Sequence, residues 1–148
     1  MGMHAFTLTM LLSCLTLPAA PAEAVINPDL LRKRQDKAPE KLVIDVHHVA
    51  VEKDGRDRHV TAEATVKFVR ESLSGLKKGQ RITVQYTARR LHRKAVGPIP
   101  IPILSKGPTG AFLAKSKDGY RTAARHMSFV SPRKIRKYKV HEKARKRP

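Results

Sequence analysis

The sequence predicts an all-β protein, a small closed barrel of about five short strands. Three observations carry that prediction. Apolar residues recur with period two in three segments, glycine-containing turn signals separate those segments, and the body of the chain shows almost no helical periodicity. Strands this few and this short cannot build a large sandwich. Closing them into a barrel removes exposed edges that would otherwise pair with other chains.

The first strand begins at Lys41. Leu42, Ile44 and Val46 fall on one face, and Val43, Asp45 and His47 on the other. After Val49, Ala50 and Val51, the segment Glu52-Lys53-Asp54-Gly55-Arg56-Asp57 supplies an Asp-Gly hairpin turn. In the second strand Val60, Ala62, Ala64, Val66 and Phe68 alternate with Thr61, Glu63, Thr65 and Lys67, which reads as one buried and one wet face. Residues 72–80, with Gly75 and Gly79, form a loop that delivers a third strand. There Ile82, Val84, Tyr86 and Ala88 point one way and Thr83, Gln85 and Thr87 the other.

The next stretch, Gly97-Pro98-Ile99-Pro100-Ile101-Pro102-Ile103, loses every second backbone donor to proline and is excluded from a central strand. It reads as an extended crossing whose isoleucines cover the core. A turn at Gly107-Pro108-Thr109-Gly110 leads to a short strand over 111–115, a second turn at Asp118-Gly119, and a last core element between Tyr120 and Val130. Pro132 ends the barrel region, residues 41–131.

The flanks differ in kind. Residues 1–24 read as a secretory signal peptide: an apolar run over 5–17, then small residues ending in Ala22-Glu23-Ala24, an A-x-A cleavage pattern. The run is shorter than the roughly 20 residues a membrane span needs. Cleavage after Ala24 makes the working protein secreted or periplasmic, and it removes Cys14, the sole cysteine, so no disulfide or thiolate site is expected. Leu11-Leu12-Ser13-Cys14 loosely matches a lipid-attachment signal, and tethering through Cys14 is the other outcome. Residues 25–40 form a polar arm, flexible or briefly helical, around Arg32-Lys33-Arg34.

Charge is the strongest functional signal. Losing Glu23 leaves 11 acids against 31 Lys and Arg, a net charge of +20. Such a potential attracts polyanions and weakens with salt. The basic tail, residues 132–148, holds Arg133, Lys134, Arg136, Lys137, Lys139, Lys143, Arg145, Lys146 and Arg147 against Glu142 alone. Self-repulsion predicts that it is largely disordered in isolation, with Ile135, Tyr138 and Val140 able to dock its first part. A second cluster, Arg89, Arg90, Arg93 and Lys94, follows the third strand.

Catalytic and metal constellations are not legible. His47 and His48 are adjacent in a strand, so their side chains leave opposite faces unless a bulge intervenes, and no H-x-H, H-x-x-H or H-E-x-x-H spacing occurs. Asp45 and Glu63 are the acids inside strands, able to lie across from each other, and they read first as partners for Lys and Arg. No nucleophile elbow or phosphate loop is present, so neither a cofactor nor a small-molecule substrate is expected. Phe68 and Tyr86 fall on core faces, which leaves too few exposed aromatics for a base-stacking platform.

Residues 41–130 resemble a five-stranded oligonucleotide/oligosaccharide-binding (OB) barrel, and within that superfold the netrin/tissue-inhibitor module and its bacterial exported relatives. The resemblance is carried by the hairpin over 42–68, by Leu76-Lys77-Lys78-Gly79 leading into Ile82-Thr83-Val84, and by Gly110-Ala111-Phe112-Leu113 followed by Asp118-Gly119-Tyr120. It implies an OB-like barrel. It does not imply protease inhibition, because the eukaryotic inhibitors act through an N-terminal cysteine and depend on disulfides that this chain lacks.

These readings lead to a secreted, non-enzymatic binding or accessory module whose cationic tail associates with an anionic polymer or membrane surface. Nucleic acid would be held only electrostatically, without sequence preference. Two other readings stay open: a ribosomal-type nucleic-acid-binding protein whose hydrophobic N-terminus is no signal, and a hydrolase using Asp45 and Glu63.

Overall fold

A computed structural model describes residues 27–90 and 99–139. The alternating segments form the expected strands, each somewhat longer than its apolar pattern: β1 Glu40–Asp54, β2 Asp57–Ser72, β3 Arg81–Arg89 and β4 Gly107–Ser116. The short strands β5 Gly119–Thr122 and β6 Phe129–Val130 follow. The β1–β2 turn falls on Gly55 and Arg56, with Gly55 at φ 55°, a conformation that glycine adopts without Cβ strain. Helix α1, Pro28–Lys37, precedes the strands and helix α2, Pro132–Arg136, follows them.

The strand order β1-β2-β3-β5-β4 returns to β1 through antiparallel β1–β4 pairing, and so closes a five-stranded barrel of OB-like form. All neighbours are antiparallel except β3 and β5, which meet at a single parallel bridge, Val84 to Tyr120. β1 pairs with β4 only over Glu40–Val46, although it follows β2 to the hairpin tip. The alternating face expected to be buried fills the barrel: Leu42, Ile44, Val60, Val66, Val84 and Leu113 are at most 1% exposed.

A second core lies outside the barrel. Val43 of β1 and Phe112 of β4 point outward and are covered by Ala38 after α1, by Ala124, and by Ile135 of α2, all buried. The face of β1 opposite Leu42 is therefore not simply wet. Phe68 also belongs to this layer, against the expectation that it lines the barrel with Val60 and Val66. The reason is the register. Ile44 pairs with Val66 but Val43 pairs with Phe68, so Lys67 is an extra residue, and the one-residue slip turns Phe68 and Val69 to the opposite faces from those strict alternation gives them. Val69 then takes the place beside Leu42 in the barrel core.

The proline-rich crossing has no regular secondary structure where it is described, from Ile99 on. It covers the core with Ile101 and Leu104, whereas Ile99 and Ile103 are exposed, which corrects the expectation for the isoleucines as a set. Tyr86 ties this segment to the barrel: its hydroxyl donates to the Pro102 carbonyl and accepts from the Leu104 N–H, both at 2.9 Å. Proline cannot donate, so Pro102 offers only its carbonyl, and the donor comes from Leu104 two residues on. Burial pushes the Tyr86 hydroxyl from 10.0 up to about 12, partly offset by the Leu104 hydrogen bond. Because the fold favours the protonated form, the stability it contributes is fully present below pH 10 and is lost as pH rises toward 12. The midpoint of urea unfolding should fall more steeply over that window for the wild type than for Tyr86→Phe. Equal slopes would remove Tyr86 as the cause.

Candidate polyanion-binding surface

The basic residues of the tail begin on a folded element. Pro132 occupies the first turn of α2, and Ile135 is fully buried, so this part of the tail docks on the barrel. Around that anchor Arg133, Lys134 and Arg136 are exposed on α2, and Lys137 and Lys139 are exposed just after it. Arg89 and Arg90 are exposed at the end of β3. Arg89 donates from Nε to Asp57 at 3.2 Å, and the Arg90 N–H donates to the Arg56 carbonyl at 2.9 Å. Arg93, Lys94, Lys143, Arg145, Lys146 and Arg147 lie outside the described residues, as do Cys14 and the signal segment.

Among the described residues, Arg89 and Arg90 stand apart from the cations on and just after α2. Arg89 faces Asp57 at the start of β2, whereas Arg70, near its end, donates to the Tyr138 carbonyl at 2.9 Å. Between them β2 runs about 40 Å at ~3.3 Å per residue. What approaches α1 is the chain just after α2, with the turn at Met127. The Tyr138 hydroxyl donates to the Asp36 carboxylate, the Gln35 side chain donates to the Met127 carbonyl at 2.8 Å, and the Tyr138 ring packs edge-on against Phe112 at 5.2 Å. Burial first, then the hydrogen bond to Asp36 and the charges of Asp36 and Glu71, push the Tyr138 hydroxyl upward, which keeps it a neutral donor.

Lys41 completes this junction. It is 2% exposed, and its ammonium donates to the Asp36 and Ala38 carbonyls at 3.0 and 3.1 Å and to the Glu71 carboxylate. A buried charge is tolerated when its donors are all satisfied, as they are here. Its neighbour Glu40, equally buried, accepts from the Ser74 N–H at 2.9 Å.

A second set of exposed cations stands on the helix that Tyr138 holds through Asp36. Arg32, Lys33, Arg34 and Lys37 are exposed on α1, at the opposite end of the chain from α2. Sequence reading noted the Arg32-Lys33-Arg34 run but did not assign it to the binding set. The arm expected to be flexible or briefly helical is a capped helix: Asn27 accepts from the Asp29 N–H at 2.9 Å, Pro28 takes the first turn, and Arg34 and Lys37 sit in the last. Its tie to the chain just after α2 was not legible, because it depends on a core shared by residues about a hundred positions apart. Several acids are already engaged: Asp36 by Tyr138, Asp45 by Lys67 at 3.4 Å, Asp57 by Arg89 and Glu71 by Lys41.

Asp45 and Glu63 do not face each other. Asp45 pairs across the hairpin with Thr65, and Glu63 with His48. The two adjacent histidines depart from strict alternation. A register shift between Val46 and His48 leaves His47 as the extra residue; it bonds Thr65 at 2.8 Å, and both rings are exposed. No group of three His, Cys, Asp or Glu among the described residues can hold a metal ion.

An open groove of about 610 Å³ crosses the outer surface where β3 and β5 part beyond their single bridge. His59, Thr61, Gln85, Thr87, Ser116 and Arg121 are among its lining residues, and no carboxylate is. Comparison with protein families, with curated proteins and with solved structures finds no match to this chain.

Proposed function

We propose that this chain is a non-enzymatic, exported binding module that associates with an anionic polymer or surface through cations presented by α1 and α2. The reading rests on one observation above the rest: Ala38, just after α1, and Ile135 of α2 pack into one shared core, while Arg32, Lys33, Arg34, Lys37, Arg133, Lys134, Arg136 and Lys137 around them are exposed. Cations held on a folded platform lose less freedom on binding than cations on a free chain, so they bind a polyanion more tightly at equal charge. The sequence then continues into Lys143, Arg145, Lys146 and Arg147, which extend the same charge. Kinship with the netrin/tissue-inhibitor module belongs to this proposal, and the closed five-stranded barrel is compatible with it.

The test is retention on immobilised heparin as a function of salt. Deleting the tail at Pro132 would also remove Ile135 and Tyr138 and so disturb the second core. Neutralising the exposed cations is the cleaner experiment. Changing Arg133, Lys134, Arg136 and Lys137 together to Gln should lower the eluting salt concentration and flatten its dependence on ionic strength, with the unfolding midpoint unchanged. Unchanged elution would overturn the assignment of α2.

A further inference from the structure

A second open groove, of about 360 Å³, adjoins the one between β3 and β5, and the two share Arg121 and Thr122. Arg34 and Lys37 of α1 and Arg121 of β5 line it, over a floor of small residues that includes Ala38 and Ala114. Arg34 and Lys37 are three positions apart in α1 and so share a helix face. Among the described residues no carboxylate lines the groove, and none pairs with any of the three cations. Asp36, the acid nearest in sequence, is taken by the Tyr138 hydroxyl. Three like charges converging over a small-residue floor repel one another unless an anion sits among them.

We infer that Arg34, Lys37 and Arg121 form a subsite for one sulfate or carboxylate group of an acidic glycan, whose chain continues into the adjoining groove. This rests on the polyanion-binding reading and adds to it a defined site and a ligand class. The adjoining groove decides the class. It offers hydroxyls and an amide, from Thr61, Thr87, Ser116 and Gln85, which suit sugar hydroxyls. Of the two rings on its lining, Tyr86 is buried and spends its hydroxyl on Pro102 and Leu104, and the exposed His59 imidazole bonds the Thr87 hydroxyl at 3.2 Å, so a nucleobase meets one small ring and no stacking platform. Both grooves fall in the volume range of small-ligand sites. Arg121 is the hinge of the site, because it lines both grooves and a guanidinium holds a sulfate or carboxylate with two parallel hydrogen bonds.

The experiment is calorimetric titration of the full chain with a heparin-derived hexasaccharide and, separately, with a single-stranded oligonucleotide of equal charge. Arg121→Gln should weaken the hexasaccharide by about tenfold or more, and Arg121→Lys by less, whereas Lys78→Gln, the same charge change on the exposed loop before β3, should have little effect. Arg121 is exposed, so the variants should keep the wild-type unfolding midpoint. Equal effects of Arg121→Gln and Lys78→Gln would show a diffuse charge effect and overturn the subsite. An oligonucleotide that binds more tightly, with the same dependence on Arg121, would overturn the glycan assignment. If the wild type binds neither probe and is not retained on heparin, the broader polyanion reading falls with it; retention without Arg121 dependence removes the subsite alone.

Discussion

Replacing Phe112 by Ala should lower the unfolding free energy by about 3–5 kcal/mol, the usual range for deleting a fully buried aromatic side chain. Phe112 is 0% exposed, and it points away from the barrel interior into the second core. It gathers the segments that follow β5: its ring meets Tyr138, its N–H donates to the Ser128 carbonyl at 2.8 Å, and its carbonyl accepts from the Ala123 N–H at 3.0 Å, with Ala38 after α1 in the same cluster. Ala retains the backbone bonds and loses the ring, so the deficit falls on the packing of α1 and α2 rather than on the strand. Domains of this size are stable by about 5–15 kcal/mol in total, so the loss is a large share of the whole. Guanidinium unfolding measures the total. Trypsin cleavage after Lys134 and Arg136 measures the local part and should accelerate more than global unfolding requires. A loss under about 1 kcal/mol would mean that the termini do not depend on this ring.

The second large effect is expected at Gly119. It opens β5 at the point where that strand approaches β3, next to the only bridge between them. Its φ is +131°, a conformation side chains rarely adopt, and a Cβ built there would stand 2.6 Å from the Thr83 carbonyl oxygen. Neither problem is relieved by rotating a side chain, since the obstacle is backbone. Gly119→Ala should therefore cost about 2–5 kcal/mol, combining backbone strain with overpacking. It should do so by opening the seam between β3 and β5, which exposes the amides of both strands. Hydrogen exchange would show this as faster exchange at Val84 and Tyr120 than at Ile44, which lies between β1's two partners. Uniform acceleration would point to global destabilisation and against the seam. Gly55 provides the contrast: its φ is also positive, but no atom lies within 4 Å of its added Cβ, so Ala there carries the strain without the clash.

Much of the barrel was legible because its signal is local. Alternation over Val60–Val66 and Ile82–Ala88 needs only the period of a strand, and Asp54-Gly55 needs only the preference of a turn. The closed five-stranded form followed from strand number and length. Basic clusters were equally plain, because charge is additive along a chain. Phe68 shows where this stops. Its alternation was read correctly, but an extra residue at Lys67 sent it to the other face, and nothing in the local pattern marks a bulge. The histidine pair at His47 and His48 was affected in the same way.

The sequence by itself determined the all-β class, the strand segments and the cationic character. Only the tertiary structure decided which cations act together. It separated Arg89 from α2 by the length of β2, tied α1 to the chain just after α2 through Tyr138 and Asp36, and placed Arg121 in one groove with Arg34 and Lys37. The physical reason is range. Secondary structure follows from neighbours two to four residues apart, whereas these groupings follow from a second core that unites Ala38, Phe112 and Ile135 across nearly the whole described chain.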